Sequence, residues 1–191
     1  MPLQRPTGAA EEMSDEAVVA ACAVGEIVAL GVLFDRYHAN VHRFIARNAG
    51  ADDRDLDDLV QATFEAVPRA ARGFDGRSTV LTWLFGIANN IVRHHIRSEA
   101  RRRRLTDRAG EYPRVDATDG TATVLEHERA ARLQRAIAGL PPKLREVFVL
   151  VYLEGVSGPE VAQLLGAREG TIWKRLHQAR AALRVAIGGE P

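Results

Sequence analysis

The stretch from Val156 to Ile187 constrains the fold of this chain more than any other. Ser157-Gly-Pro-Glu160 is a capping box: the serine hydroxyl accepts from the Glu160 amide while the glutamate carboxylate accepts from the serine amide, and Pro159 is tolerated in a first turn. Val156 and Val161 stand where a hydrophobic staple joins the residue before the cap to the fourth helical residue. These signals start a short helix with Val161, Leu164 and Leu165 inward, and Gly166 stands where a left-handed C-terminal cap is wanted. After 167–170, a second helix carries Ile172, Leu176, Ala179, Leu183 and Ile187 on one stripe and presents Arg168, Thr171, Lys174, Arg175, Gln178 and Arg180 on its other side.

A short capped helix, a glycine turn and an amphipathic helix with a basic, amide-bearing outer face form a helix-turn-helix whose second helix can enter a DNA major groove. Arginine pairs bidentately with guanine and glutamine with adenine, while lysine and threonine mostly hold phosphates. A helical hairpin with merely solvated basic residues shows the same periodicity, so a helical adaptor that meets an acidic protein stays open at this point. The formal net charge of +1 speaks against a nucleic-acid partner only until its distribution is inspected. From Arg93 to Arg104 six arginines (93, 97, 101, 102, 103, 104) face one acid, Glu99, whereas Asp52, Asp53, Asp55, Asp57 and Asp58 crowd together elsewhere. The run 101–104 taken alone also suits a linker or a solvated helix end.

The rest of the chain reads as helices. Ser14 followed by Asp15 and Glu16 is a helix start, with Gly25 as its stop. Ile27, Leu30, Phe34, Tyr37, Val41, Phe44 and Ile45 form one stripe of a long helix ending near Gly50. Leu56, Leu59, Val60, Phe64, Val67 and Phe74 share a face of a third helix, which Pro68 is expected to bend or interrupt. Thr79 to about Arg104 is a fourth, with Val80, Leu84, Ile87, Ala88 and Ile91 inward and Asn90, Arg93, His94, Arg97, Arg101 and Arg104 along one basic edge. Periodicity dissolves over 105–123 and resumes at Val124, where Leu125, Leu133, Ile137 and Leu140 precede Pro141-Pro142 and Leu144, Val147, Phe148, Val151 and Tyr152 mark another buried face. The expectation is an all-α chain of two small helical domains, 14–104 and 124–187, joined by a flexible linker, 105–123, with the helix-turn-helix in the second.

Other readings find no residues to stand on. Cys22 is a lone cysteine, no leader opens the chain, and no apolar run suits a membrane span, so a reducing cytoplasm and no membrane insertion are expected. His38 and His42 have zinc-compatible spacing but lack a Cys cluster or nearby acid, and the aspartates at 52–58 lack the order and terminal glutamate of a calcium loop. His94 and His95 belong with the basic helix. No phosphate loop or nucleophile motif is present, which leaves neither an enzyme nor a cofactor or metal to expect.

With these residues in place, the chain resembles the extracytoplasmic-function (ECF) group of bacterial RNA polymerase sigma factors. The C-terminal match is LPPKLREVFVLVYLEGVSGPEVAQLLGAREGTIWKRLHQARAAL; the N-terminal one is LFDRYH-x-x-VHRF, DLVQATF and GFDGRSTVLTWLFGIANNIVRHHIRSEARRRR. The resemblance implies a two-domain transcription initiation factor that docks on core RNA polymerase and binds promoter DNA at two elements. It implies that Asp58, Leu59, Gln61 and Phe64 lie on the surface gripping the polymerase clamp coiled coil. Arg77, Ser78, Thr79, Asn89, Asn90, Arg93, His94 and Arg97 would meet the downstream (−10) element, which the protein helps to open. Arg168, Thr171, Lys174, Arg175, Gln178 and Arg180 would meet the upstream (−35) element. An anti-sigma partner follows from the group's habits.

Three residues depart from the group's pattern: Ala62 where an acid is usual, Pro68 in the customary aromatic-containing helix end, and Trp173 where a polar or basic residue is usual. Trp83, beside Leu84 in the TWL segment, reads as core rather than as a stacking platform. Without the N-terminal blocks, an autonomous helix-turn-helix regulator that binds an operator by itself would be equally compatible.

Overall fold

The computed structural model describes residues 12–49, 53–106 and 124–188, all of whose regular structure is helical. The stop near Gly50, Asp52 and linker residues 107–123 lie outside the described residues, as do the side chains of Asp53, Arg103, Arg104 and Leu125.

Helix α1 spans Asp15–Ala23; the Ser14 hydroxyl accepts from the Ala17 amide, and Gly25 at φ 90° turns the chain into α2, Ile27–Ala49. Helix α3 spans Asp53–Ala71 and continues through Pro68. The missing proline N–H forfeits one bond to the Phe64 carbonyl, but Val67 and Ala71 are buried on either side and hold the last turn on the core. Helix α4, Val80–Thr106, is capped by Thr79, whose hydroxyl accepts from the Thr82 amide at 3.1 Å.

These four helices form one unit. Its centre is Leu33, Phe44, Ile45, Leu84 and Phe85, with the Phe44 and Phe85 rings stacked 4.6 Å apart. Two stripes sit differently from the expectation. In α2 the burial runs through Ala29 and Leu33, leaving Ile27 and Phe34 exposed beside α3; in α4 Phe85 and Val92 are buried while Ile87 and Ile91 are only partly covered. Both helices are apolar over more than half a turn, so periodicity alone leaves the burial axis free to rotate by one residue.

Helix α5, Val124–Ala138, leads to α6, Pro142–Phe148, followed by a π-helical turn, Val149–Leu153, then α7, Gly158–Leu165, and α8, Glu169–Ile187. The capping box at Ser157 and Glu160 is complete, and Gly166 is left-handed at φ 59°. In the π turn the Glu154 amide bonds to the Val149 carbonyl, five residues back. That wider turn rotates the buried face: Val149 and Leu150 are fully buried, whereas Tyr152, expected inward, is exposed; on α5, Leu133, also expected inward, is exposed too.

The two units pack together. Helix α2 meets α5, α6 and the π turn, while α4 meets α7. Arg47 pairs with Glu154 at 2.9 Å, and the Arg145 guanidinium donates to the Asn48 carbonyl at 3.1 Å while its other branch donates to the Leu140 carbonyl at 3.0 Å and to the Ala138 carbonyl.

Candidate nucleic-acid and polymerase interfaces

On α3, Asp58 and Gln61 are exposed, and the Gln61 amide donates to Glu65 at 2.8 Å. Leu59 and Phe64, expected on the same surface, are 7% and 4% exposed; they lie beneath it as core. A groove between α2 and α3 has Leu30, Phe34, Val60 and Phe64 along its floor and Asp57, Gln61 and Glu65 on its rim. Phe34 packs edge-on against Phe64 at 4.9 Å. Partly buried Ala62 lies on the same helix.

The loop before α4 is organised by Asp75, which accepts from the Arg77 amide at 3.1 Å and pairs with its guanidinium at 3.2 Å. Gly76 is left-handed there. Arg77 and Thr79 are exposed and Ser78 is partly so. Trp83 packs on Phe74 at 5.2 Å, partly buried against the core. Along α4, Asn90, His94, Arg97 and Arg101 are exposed, so a cationic edge exists.

Asn89 and Arg93 do not share that exposure. Asn89 is 2% exposed with its amide nitrogen 3.5 Å from Glu146 of α6, and half-buried Arg93 places Nε 3.6 Å from the same carboxylate. Arg175 of α8 approaches the other carboxylate oxygen at 3.6 Å. Of the outer-face set on α8, Arg168, Lys174, Gln178 and Arg180 are exposed and Thr171 is partly exposed; Arg175 instead turns inward to α6. Burial pushes the Glu146 carboxyl above its ordinary range, and the pull of Arg93, Asn89, Arg175 and Lys143 offsets this only in part.

Glu146 and Arg145 were not singled out from the sequence. Their signal was available: they are the only charged residues in the apolar run 144–153, where a helix buried on most sides leaves a charge needing partners. His38 and His42 stand with ring centroids 5.9 Å apart, and among the described residues no group of three or more His, Cys, Asp or Glu is gathered as a metal site.

Residues 33–102 match the family Sigma-70 region 2, and residues 130–183 match Sigma-70, region 4. A helical unit of each kind, joined by a linker, defines a sigma-70-type factor. The ECF RNA polymerase sigma factor SigM of Mycobacterium tuberculosis is 33% identical over 181 residues, covering 95% of this chain and 88% of that protein. The ECF RNA polymerase sigma-E factor of Escherichia coli (strain K12) is 27% identical over 183 residues, 91% of this chain and 94% of that one. Among solved structures, CnrH in complex with the cytosolic domain of CnrY aligns at a TM-score of 0.64 and 29% identity, covering 93% of this chain and 99% of that one. The sigma factor RpoE from Bartonella quintana, in complex with the anti-sigma factor NepR, shares the fold at a TM-score of 0.69 and 22% identity, covering 83% of this chain and 96% of that one. The chain belongs to the ECF RNA polymerase sigma factors: it is an initiation factor, not an enzyme, and it directs RNA polymerase to promoters.

Proposed function

We propose that this sigma factor reads the downstream promoter element with its N-terminal domain, 14–104, and the upstream element with its C-terminal domain, 124–187, the linker 105–123 running between them. The observation that carries this reading is the pair of exposed cationic edges on separate helices: Asn90, His94, Arg97 and Arg101 on α4, and Lys174, Gln178 and Arg180 on α8 with Arg168 at its N-terminal cap. Arg77, Ser78 and Thr79 precede α4 and offer hydrogen bonds to an unstacked base, whose unstacking must be offset by such contacts and by phosphate neutralisation. Asn89 and Arg93 lie on α4 as well, with both side chains facing Glu146. Thr171 borders the upstream set, and Arg175 supports it from behind.

Core polymerase docks on α3 through Asp58 and Gln61, with Leu59 and Phe64 shaping that surface from beneath. An anti-sigma factor is the further partner, and the protein is signal-responsive. CnrH, similar over nearly its whole length, was solved with the cytosolic domain of a second protein, which supports a protein partner here. Work on promoters places the protein in the cytoplasm, and no described helix is long and apolar enough to cross a membrane.

The test is run-off transcription with core polymerase on genomic fragments, followed by the double variant Lys174→Ala, Gln178→Ala. Run-off from promoters that depend on their upstream element is expected to fall by about tenfold or more, with the melting temperature unchanged. Undiminished run-off overturns the α8 assignment.

A further inference from the structure

Trp173 is the fifth residue of α8, and its indole is held on two sides. The ring lies over Gly158 at the start of α7, so close that a Cβ at that glycine would stand 2.9 Å from Cζ2 and 3.4 Å from Cε2. Its Nε1–H points back along α8 to the Glu169 carboxylate at 3.4 Å. Trp173 is nevertheless 53% exposed, on a helix whose Lys174, His177 and Gln178 are exposed as well.

Glycine at 158 therefore has a local reason. Any side chain there would displace the indole, and with it the ring's seat between the two helices. What the seat leaves uncovered is hydrocarbon, because the one polar atom of the indole is already engaged by Glu169. A rigid ring with two side-chain torsions, ordered before its partner arrives, loses little entropy on contact.

We propose that Trp173 is a specificity-determining residue for the upstream element, and that its exposed edge contacts the C5-methyl group of a thymine in the major groove. The inference rests on α8 being the upstream reading helix. Residues in the N-terminal part of such a helix meet base edges, and the thymine methyl is the one apolar group that the major groove displays. An indole with its N–H occupied has no hydrogen bond to offer a base, which leaves that methyl as its target. The same ring braces α7 against α8, so the base contact and the angle between the helices are set by one side chain.

The experiment measures holoenzyme binding to a promoter in which each upstream-element thymine is replaced, one at a time, by deoxyuridine, which lacks only the methyl. One replacement is expected to weaken wild-type binding by about fourfold, the effect of one buried methyl. The Trp173→Ala holoenzyme is expected to be indifferent to that replacement, while Trp173→Phe keeps part of the sensitivity. The inference is overturned if no single replacement affects the wild type, or if Trp173→Ala remains equally sensitive. Should Trp173→Ala unfold, Trp173→Phe against the same DNA series decides. The Lys174→Ala, Gln178→Ala variant separates the two levels: if it binds normally, the reading of α8 itself fails, whereas if it binds weakly and no methyl matters, only the role of Trp173 fails.

Discussion

Arg93 on α4 and Glu146 on α6 meet across the boundary between the two units, guanidinium Nε to carboxylate at 3.6 Å. Arg175 reaches the same side chain from α8, so one buried acid holds a residue from each of the two proposed DNA-reading sets.

Burial dominates at that acid, raising its pKa from the ordinary 4.5 despite the two arginines. The folded protein thus retains the Glu146 proton to higher pH than the unfolded chain. The resulting stabilisation is complete below the unfolded value and is lost as pH rises through the raised one. Glu146→Gln, neutral throughout, is expected to be at least as stable as wild type at neutral pH, with the two converging in acid. Thermal melts across the acid-to-neutral range check this; a loss above about 2 kcal/mol at neutral pH would mean that the ion pairs outweigh desolvation.

Arg145, 5% exposed, gathers the carbonyls of Ala138, Leu140 and Asn48 and so joins the α5–α6 corner to the end of α2. Replacing it by alanine strips buried acceptors of a charged donor. Urea unfolding of Arg145→Ala is expected to show a loss of about 2–4 kcal/mol. Arg145→Lys should recover only part of it, since an ammonium lacks the fork that spans three carbonyls.

At the other end of the N-terminal unit, Asp15 accepts from the Tyr37 hydroxyl and pairs with Arg36 at 2.7 Å. The Tyr37 hydrogen bond is the main cause that holds the Asp15 carboxyl below its ordinary range, against the opposing effect of burial and with help from Arg36. The sign here is opposite to that at Glu146. The stabilisation is present above the unfolded value and is lost as pH falls through the lowered one. Tyr37→Phe is expected to cost about 1 kcal/mol at neutral pH, and the gap should narrow in acid denaturation measured by circular dichroism.

The sequence was most informative where local chemistry is self-sufficient. Ser14, Ser157 with Glu160, and Gly166 act within one turn of their own helix, and each capping device sits where the residues put it. Burial axes were less legible. Ile27 and Phe34 continue an apolar stripe that Leu33 and Ala29 occupy instead, and the π turn at Val149–Leu153 shifts the register by a residue that no 3.6-residue period reveals. Least legible was the setting of Asn89, Arg93 and Arg175. Each stands at the right place on its helix for an outward role, yet their common partner, Glu146, is brought to them only by tertiary packing.

The contact between α4 and α7 can be probed at Gly86 without touching any charged group. A glycine in a helix interior costs about 0.5–1 kcal/mol relative to alanine, so it persists at no benefit unless space demands it. A Cβ at Gly86 would stand 3.5 Å from Cγ of Leu164 in α7, ordinary van der Waals contact. A methyl therefore fits, and Gly86→Ala is expected to stabilise the chain by roughly the helix-propensity difference, about 0.5–1 kcal/mol. A branched side chain does not fit: the extra carbons of Gly86→Leu meet Leu164, which is itself packed against the core. The cheaper response is for α7 to move off α4, because the two helices belong to different units. Small-angle scattering is expected to show an expanded molecule for Gly86→Leu with helix content unchanged, and no expansion for Gly86→Ala. Equal compactness of the two variants would mean that Leu164 repacks locally and that this contact does not set the spacing of the units.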